Sequence, residues 1–165
     1  MKRRPTNVLF VSRHNAARSL LAEACLRHLG QGLVRAYSCG DPALIADAPS
    51  PWAILALQTA GIPSDNLRCK AWTEFAKSGS PKMDFVISLD AETAHYHPAW
   101  RDQPETALWA YPSLSTGKAA HRDNGLAAVH ILMSLQRRIE LLISLHQRVE
   151  RHSDLRHDLR DLAHH

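Results

Sequence analysis

No long hydrophobic run occurs anywhere in this 165-residue chain. The longest apolar stretches, 7–11 and 84–89, fall far short of the ~20 residues a membrane-spanning helix needs, so no membrane partner is expected. Cysteine is scarce: three residues at wide spacing (Cys25, Cys39, Cys69) form no C-x-x-C pair. That excludes an all-paired disulfide framework, a zinc knuckle and a dithiol redox motif, and it suits a reducing compartment. Internal repeats, low-complexity segments and long linkers are absent too. One domain over residues 1–150, followed by a polar tail over 151–165, is the expected organisation. The basic start Met1-Lys2-Arg3-Arg4 runs into no long apolar segment, so it does not resemble a signal peptide, and a cytoplasmic protein is expected. Charge of one sign is also in short supply. A net charge of +4 and a pI near 9.2 help to attract an anion but are too small and dispersed to argue for a nucleic-acid partner.

What is present is a hydrophobic fraction of 45%, enough for a folded core, arranged in alternating patterns. Asn7-Val8-Leu9-Phe10-Val11 is a short apolar run, as expected of a strand covered on both faces. From Ala17 to Leu29 the period turns helical, with Leu21, Cys25 and Leu29 four apart and Gly30 as the stop. Leu33 to Ser38 is a second strand, and Asp41 to Pro51 is a loop. A helix over Pro51–Ala60 opens on proline and is followed by Gly61. Asp84 to Leu89 is the clearest third strand, and Thr106 to Tyr111 a weaker fourth. A long helix over Asp123–Glu150 carries Leu126, Val129, Met133, Ile139, Leu142, Ile143, His146 and Val149, expected on one stripe. Leu155 to His165 is polar and expected to fray. The histidines His146, His152, His157, His164 and His165 lack the cysteine or paired carboxylate that would complete a metal site, so neither a metal nor a cofactor is expected. Strands alternating with helices predict an α/β fold: a parallel sheet with helices on both faces. Ligands bind beyond the carboxyl ends of such strands.

One loop stands at that end. Val11-Ser12-Arg13-His14-Asn15-Ala16-Ala17-Arg18-Ser19 joins the first strand to the first helix. A short loop there leaves backbone N–H groups unpaired at a helix N-terminus, and with the Arg18 guanidinium they suit a tetrahedral oxyanion.

The segment N-V-L-F-V-S-R-H-N-A-A-R-S resembles the phosphate loop of low-molecular-weight tyrosine phosphatases, which reads Cys, five residues, Arg, then Ser. Further segments follow in the family's order: Ala36 to Gly40, Ala60 to Pro63, and Asn66 to Phe75. Met83 to Ile87, Pro98 to Trp100 and Gln136 to Leu142 resemble the thioredoxin-coupled arsenate-reductase branch. The resemblance implies a three-layer α/β fold with a four-stranded parallel sheet. It implies an oxyanion site at Arg13, His14, Asn15, Ala16, Ala17, Arg18 and Ser19, for phosphate, sulfate, an arsenate-like anion or a phosphorylated partner.

The same resemblance exposes departures. Ser12 stands where the family places its nucleophilic cysteine. The family's acid, an Asp before Pro on the loop after the fourth strand, falls at Tyr111 or Ser113, and no Asp occurs between Asp102 and Asp123. The arsenate reductases' two further cysteines are missing from Ser88-Leu89-Asp90 and from His97. Several departures together argue that Ser12 is natural and not a substitution made to trap substrate. Two readings follow. The chain is a pseudoenzyme that binds an oxyanion without cysteine chemistry, or it is a hydrolase with residual activity routed through Ser12 with His14 or Cys39. Cys25 is expected in the core, and Cys39 at the border of the pocket.

Overall fold

The fold is that of a computed structural model, which describes residues 5–114, 121–148 and Leu162. Strand β1 (Thr6–Val11) is buried along its whole length. It lies between β2 (Val34–Cys39) and β3 (Phe85–Ser88), and β4 (Glu105–Leu108) completes a parallel sheet in the order β2-β1-β3-β4. Val8 is aligned with Ala36 on one side and with Phe85 on the other, fixing the register of β2, β1 and β3. Alternate residues of β1 serve opposite cores, as the two-residue period requires. Val8 and Phe10 join the larger core with Leu21, Leu57, Leu135 and Ile139, whereas Leu9 and Val11 pack with Cys39, Phe75, Val86 and Trp100.

Helices α1 (Arg18–Leu29), α2 (Pro51–Thr59), α3 (Thr73–Ala76), α4 (Ala91–Tyr96) and α5 (His121–Arg148) flank the sheet. Every residue of α1 from Arg18 to Leu26 is buried. The helix is wedged among the sheet, α2 and α5, which explains why its sequence is apolar on more than one face. Short α3 and α4 escape a periodicity argument. The cap of α4 is legible all the same: Asp90 accepts from the Thr93 N–H at 2.8 Å, three residues on, as an N-cap side chain does.

The stripe expected on α5 is corrected. At about 100° per residue, Leu126, Val129 and Met133 fall on the side opposite Ile139 and Leu142. The core takes Ala128, Ile131, Leu132, Leu135, Ile139 and Leu142, and leaves Met133 exposed at 60% and Leu126 at 55%. His146 meets the start of β1, with Nε2 2.8 Å from the Thr6 hydroxyl; Val149 and Glu150 lie outside the described residues. Leu162, in the segment expected to fray, is buried in the larger core, while His152, His157, His164 and His165 lie outside the described residues. Strand β4 also stops earlier than expected. Beyond Leu108 the chain continues along the end of the sheet, with the N–H groups of Trp109 and Tyr111 donating to the carbonyls of Ser88 and Leu89. No helix is long and apolar enough to cross a membrane among the described residues.

Candidate functional site

Between the end of β1 and the start of α1 the backbone must turn sharply, and Asn15 sets the turn. Its φ is +50°, a left-handed conformation that asparagine tolerates better than most residues. Its side-chain N–H groups donate to the hydroxyls of Ser19 (2.7 Å) and Ser38 (3.0 Å), and its oxygen accepts from the Lys70 N–H at 2.7 Å. The loop's carbonyls face outward: Arg13 accepts from Asp41 N–H, His14 from Ala46 N–H and Ala16 from Ser50 N–H. Its N–H groups are left for the inside. Arg13 donates to Asp90 Oδ2 at 2.9 Å, and no acceptor among the described residues meets the N–H groups of His14, Asn15, Ala16, Ala17, Arg18 or Ser19. Ala17, the N-cap of α1, has no side chain able to satisfy them. Free N–H groups at a helix start favour negative charge.

Arg18 is buried at the first position of α1. Its Nη1 donates to the Tyr111 carbonyl at 3.0 Å, and its Nη2 lies 3.3 Å from Asp90 Oδ2. Burial draws its pKa below the ordinary arginine value, and Asp90 opposes that shift; guanidinium remains the charged form. Asp90 therefore orients the arginine and joins it to the Arg13 N–H.

The Ser12 hydroxyl lies 2.6 Å from that of Ser19. Neither partner proposed for it by sequence reaches it. His14 turns its Nδ1 to the Leu44 carbonyl at 2.9 Å. Cys39 sits fully buried in the smaller core on the other side of the sheet, its thiol pKa raised by burial, so it does not border the pocket as expected. Cys25 is buried in the larger core, as expected, with a pKa pushed up by burial to about 12. Behind the loop, Ser38 donates to Glu23, which also pairs with Arg27 and, at 3.4 Å, with Lys70 Nζ. This buried polar cluster holds Asn15 through Ser38.

A cleft of about 480 Å³ opens over the loop. Ser12, Arg13, His14, Ala16, Ala17 and Arg18 form its floor, and Trp52, Ser113, Leu114 and Asn124 its walls. The two positions considered for an acid separate here. Ser113 borders the cleft, but Tyr111 turns its hydroxyl to Ser134 on α5 at 2.8 Å. Trp52, Asn124 and Asp90 were not singled out from sequence. Asp90 directly follows the end of β3, where ligand-side residues of a parallel sheet gather, which was the available signal. No group of three metal-ligating side chains occurs among the described residues.

Solved structures of the same fold span much of the chain. The Corynebacterium glutamicum thioredoxin-dependent arsenate reductase is 23% identical with a TM-score of 0.65, over 88% of this chain and 64% of that one. The chain thus spans less than two thirds of that protein's length. An arsenate reductase in the phosphate binding state is 25% identical with a TM-score of 0.66, over 84% of this chain and 97% of that one. The tyrosine phosphatase Wzb from Escherichia coli K30, in complex with sulphate, is 16% identical with a TM-score of 0.63, over 84% of this chain and 96% of that one. No curated protein sequence matches the chain. The model of the family described as low molecular weight phosphotyrosine protein phosphatase matches residues 7–108, from β1 to the end of β4. The chain belongs to the low molecular weight phosphotyrosine protein phosphatase family.

Proposed function

We propose that the loop of residues 12–19 holds a tetrahedral oxyanion, or the phosphoryl group of a phosphorylated ligand, without the family's cysteine chemistry. In this reading the chain is a cytoplasmic pseudoenzyme. The free N–H groups from His14 to Ser19 and the oriented Arg18 bind the anion, and Ser12 takes the nucleophile's place. The observation that carries the reading is the environment of Ser12. Its hydroxyl meets another hydroxyl, that of Ser19, and no base among the described residues bonds to it. A cradle of this kind can bring a thiol from about 8.5 into the range ~3.5–7.5. A serine hydroxyl starts far less acidic and needs a neighbouring base. His14 and Cys39, which a rerouted hydrolase would use, are both engaged elsewhere.

Turnover of a chromogenic aryl phosphate by the wild type and by Ser12→Ala tests this. The expected result is no difference between the two proteins and a thermal shift with phosphate in both. Hydrolysis that disappears on replacing Ser12 would contradict the reading.

A further inference from the structure

A second cleft of about 410 Å³ opens on α5; among the described residues its walls are Ser134, Arg137, Arg138 and Leu141. The Arg138 guanidinium lies 5.6 Å from the ring centre of Trp109 and 5.2 Å from that of Tyr111. Two aromatic faces fix its orientation through their negative quadrupoles. They do not satisfy its donors, however: Nε and Nη1 are buried and have no hydrogen-bond partner. Among the described residues no carboxylate forms an ion pair with Arg137 or Arg138. Buried donors without acceptors are uncommon in folded proteins, and a bound ion is one of the explanations they call for.

We propose that this cleft is a second anion site, separate from the loop of residues 12–19, and that it takes an organic phosphate monoester. Three properties select that class. Planar guanidinium forks match phosphate oxygens. Two neighbouring positive charges favour a dianion over a single carboxylate. Leu141, 44% exposed, offers an apolar wall for the organic part, and the volume lies in the range of small-molecule sites.

The two clefts carry separate natural reporters. Trp52 lines the first, and Trp109 lies under Arg138 at the second. The test is a titration of the full chain with phenyl phosphate, followed by the indole N–H resonances of both tryptophans. The Trp109 resonance is expected to shift to saturation in the wild type and equally in Arg18→Ala, in which the first site is impaired. Replacing both arginines (Arg137→Gln, Arg138→Gln) should weaken the Trp109 response about tenfold or more while leaving that of Trp52 in place. Arg138→Lys, which keeps the charge and loses the fork, should give an intermediate affinity. An unmoved Trp109 resonance, a shift that needs Arg18, or an unchanged response in the double variant would each overturn the site.

Discussion

The Ser12 hydroxyl oxygen sits 2.6 Å from that of Ser19, which also accepts from the Asn15 side chain at 2.7 Å. Ser19 has one proton to offer and no capacity to act as a base at neutral pH, so the pair positions Ser12 without activating it. Hydrogen bonding here preserves the shape of the loop, through Asn15 to Ser38 and Lys70. Shape and reactivity are therefore separable at this site, and each can be altered alone.

Shape depends on Gly40. A Cβ there would stand 2.8 Å from the Ser12 carbonyl oxygen, 2.9 Å from the Asn15 nitrogen and 3.0 Å from the Arg13 carbonyl oxygen, all backbone atoms. Gly40→Ala is expected to lower stability by about 1–3 kcal/mol, the usual scale of overpacking, and to blunt the thermal response to phosphate. Urea denaturation with and without phosphate measures both. Unchanged stability would mean that the loop yields without resistance.

Asp90 neutralises Arg18 from inside the protein. In Asp90→Asn the amide oxygen can still accept from Thr93, but the buried guanidinium loses its counter-charge. The expected loss is about 3 kcal/mol, the low end for breaking a buried pair. A bound anion would supply the missing charge, so the melting temperature of Asp90→Asn should rise more with phosphate than that of the wild type. An equal or smaller rise would show that the anion does not meet Arg18.

The thiols give a check on the two cores. Burial raises the pKa of all three thiols, but Cys25 and Cys39 are buried whereas Cys69 is only partly covered. Iodoacetamide at pH 8 should modify Cys69 alone in the native protein and all three thiols after unfolding, as counted by intact mass. Rapid native labelling of Cys39 would place it at the pocket after all.

Much of this was legible before folding. Strand β1 and the loop after it follow from a short apolar run that leads into a helical period, and Arg18 follows from its place at the helix start. The α5 face was misassigned because apolar residues occur on both of its sides, and only packing against α1 and α2 decides which side is buried. The location of Cys39 was missed for a related reason. Neighbouring strand residues point to opposite faces, and a one-residue difference sends a side chain to the other core. Tyr111 and Ser113 could not be told apart in sequence, since the chain beyond β4 has no period of its own. The sheet separates them, with Tyr111 tied to Ser134 and Ser113 turned to the cleft.

Reactivity, by contrast, should be recoverable. Ser12→Cys places a thiol beside the helix start and Arg18, which stabilise a thiolate. It is expected to cleave an aryl phosphate with a good leaving group and to act poorly on phosphotyrosine, whose departure needs a proton. Adding Ser113→Asp should improve phosphotyrosine far more than the good substrate, towards the ~10²–10⁴-fold typical of general acids. Adding Tyr111→Asp should not, because that side chain faces Ser134. Steady-state rates of the single and double variants on both substrates decide the matter. A Ser12→Cys protein inert to both, with a thiol that alkylates slowly at pH 6, would contradict the cradle.

The central claim is that the loop binds an oxyanion through its N–H groups and Arg18. A calorimetric titration of inorganic phosphate into the wild type and into Arg18→Ala tests it most directly. With the Arg137→Gln, Arg138→Gln background used for both proteins, any second site is removed from the signal. The account predicts saturable binding with Arg18 present and none, or binding weakened about tenfold or more, when it is replaced. No heat of binding at tens of millimolar phosphate, or the same affinity with and without Arg18, would contradict it.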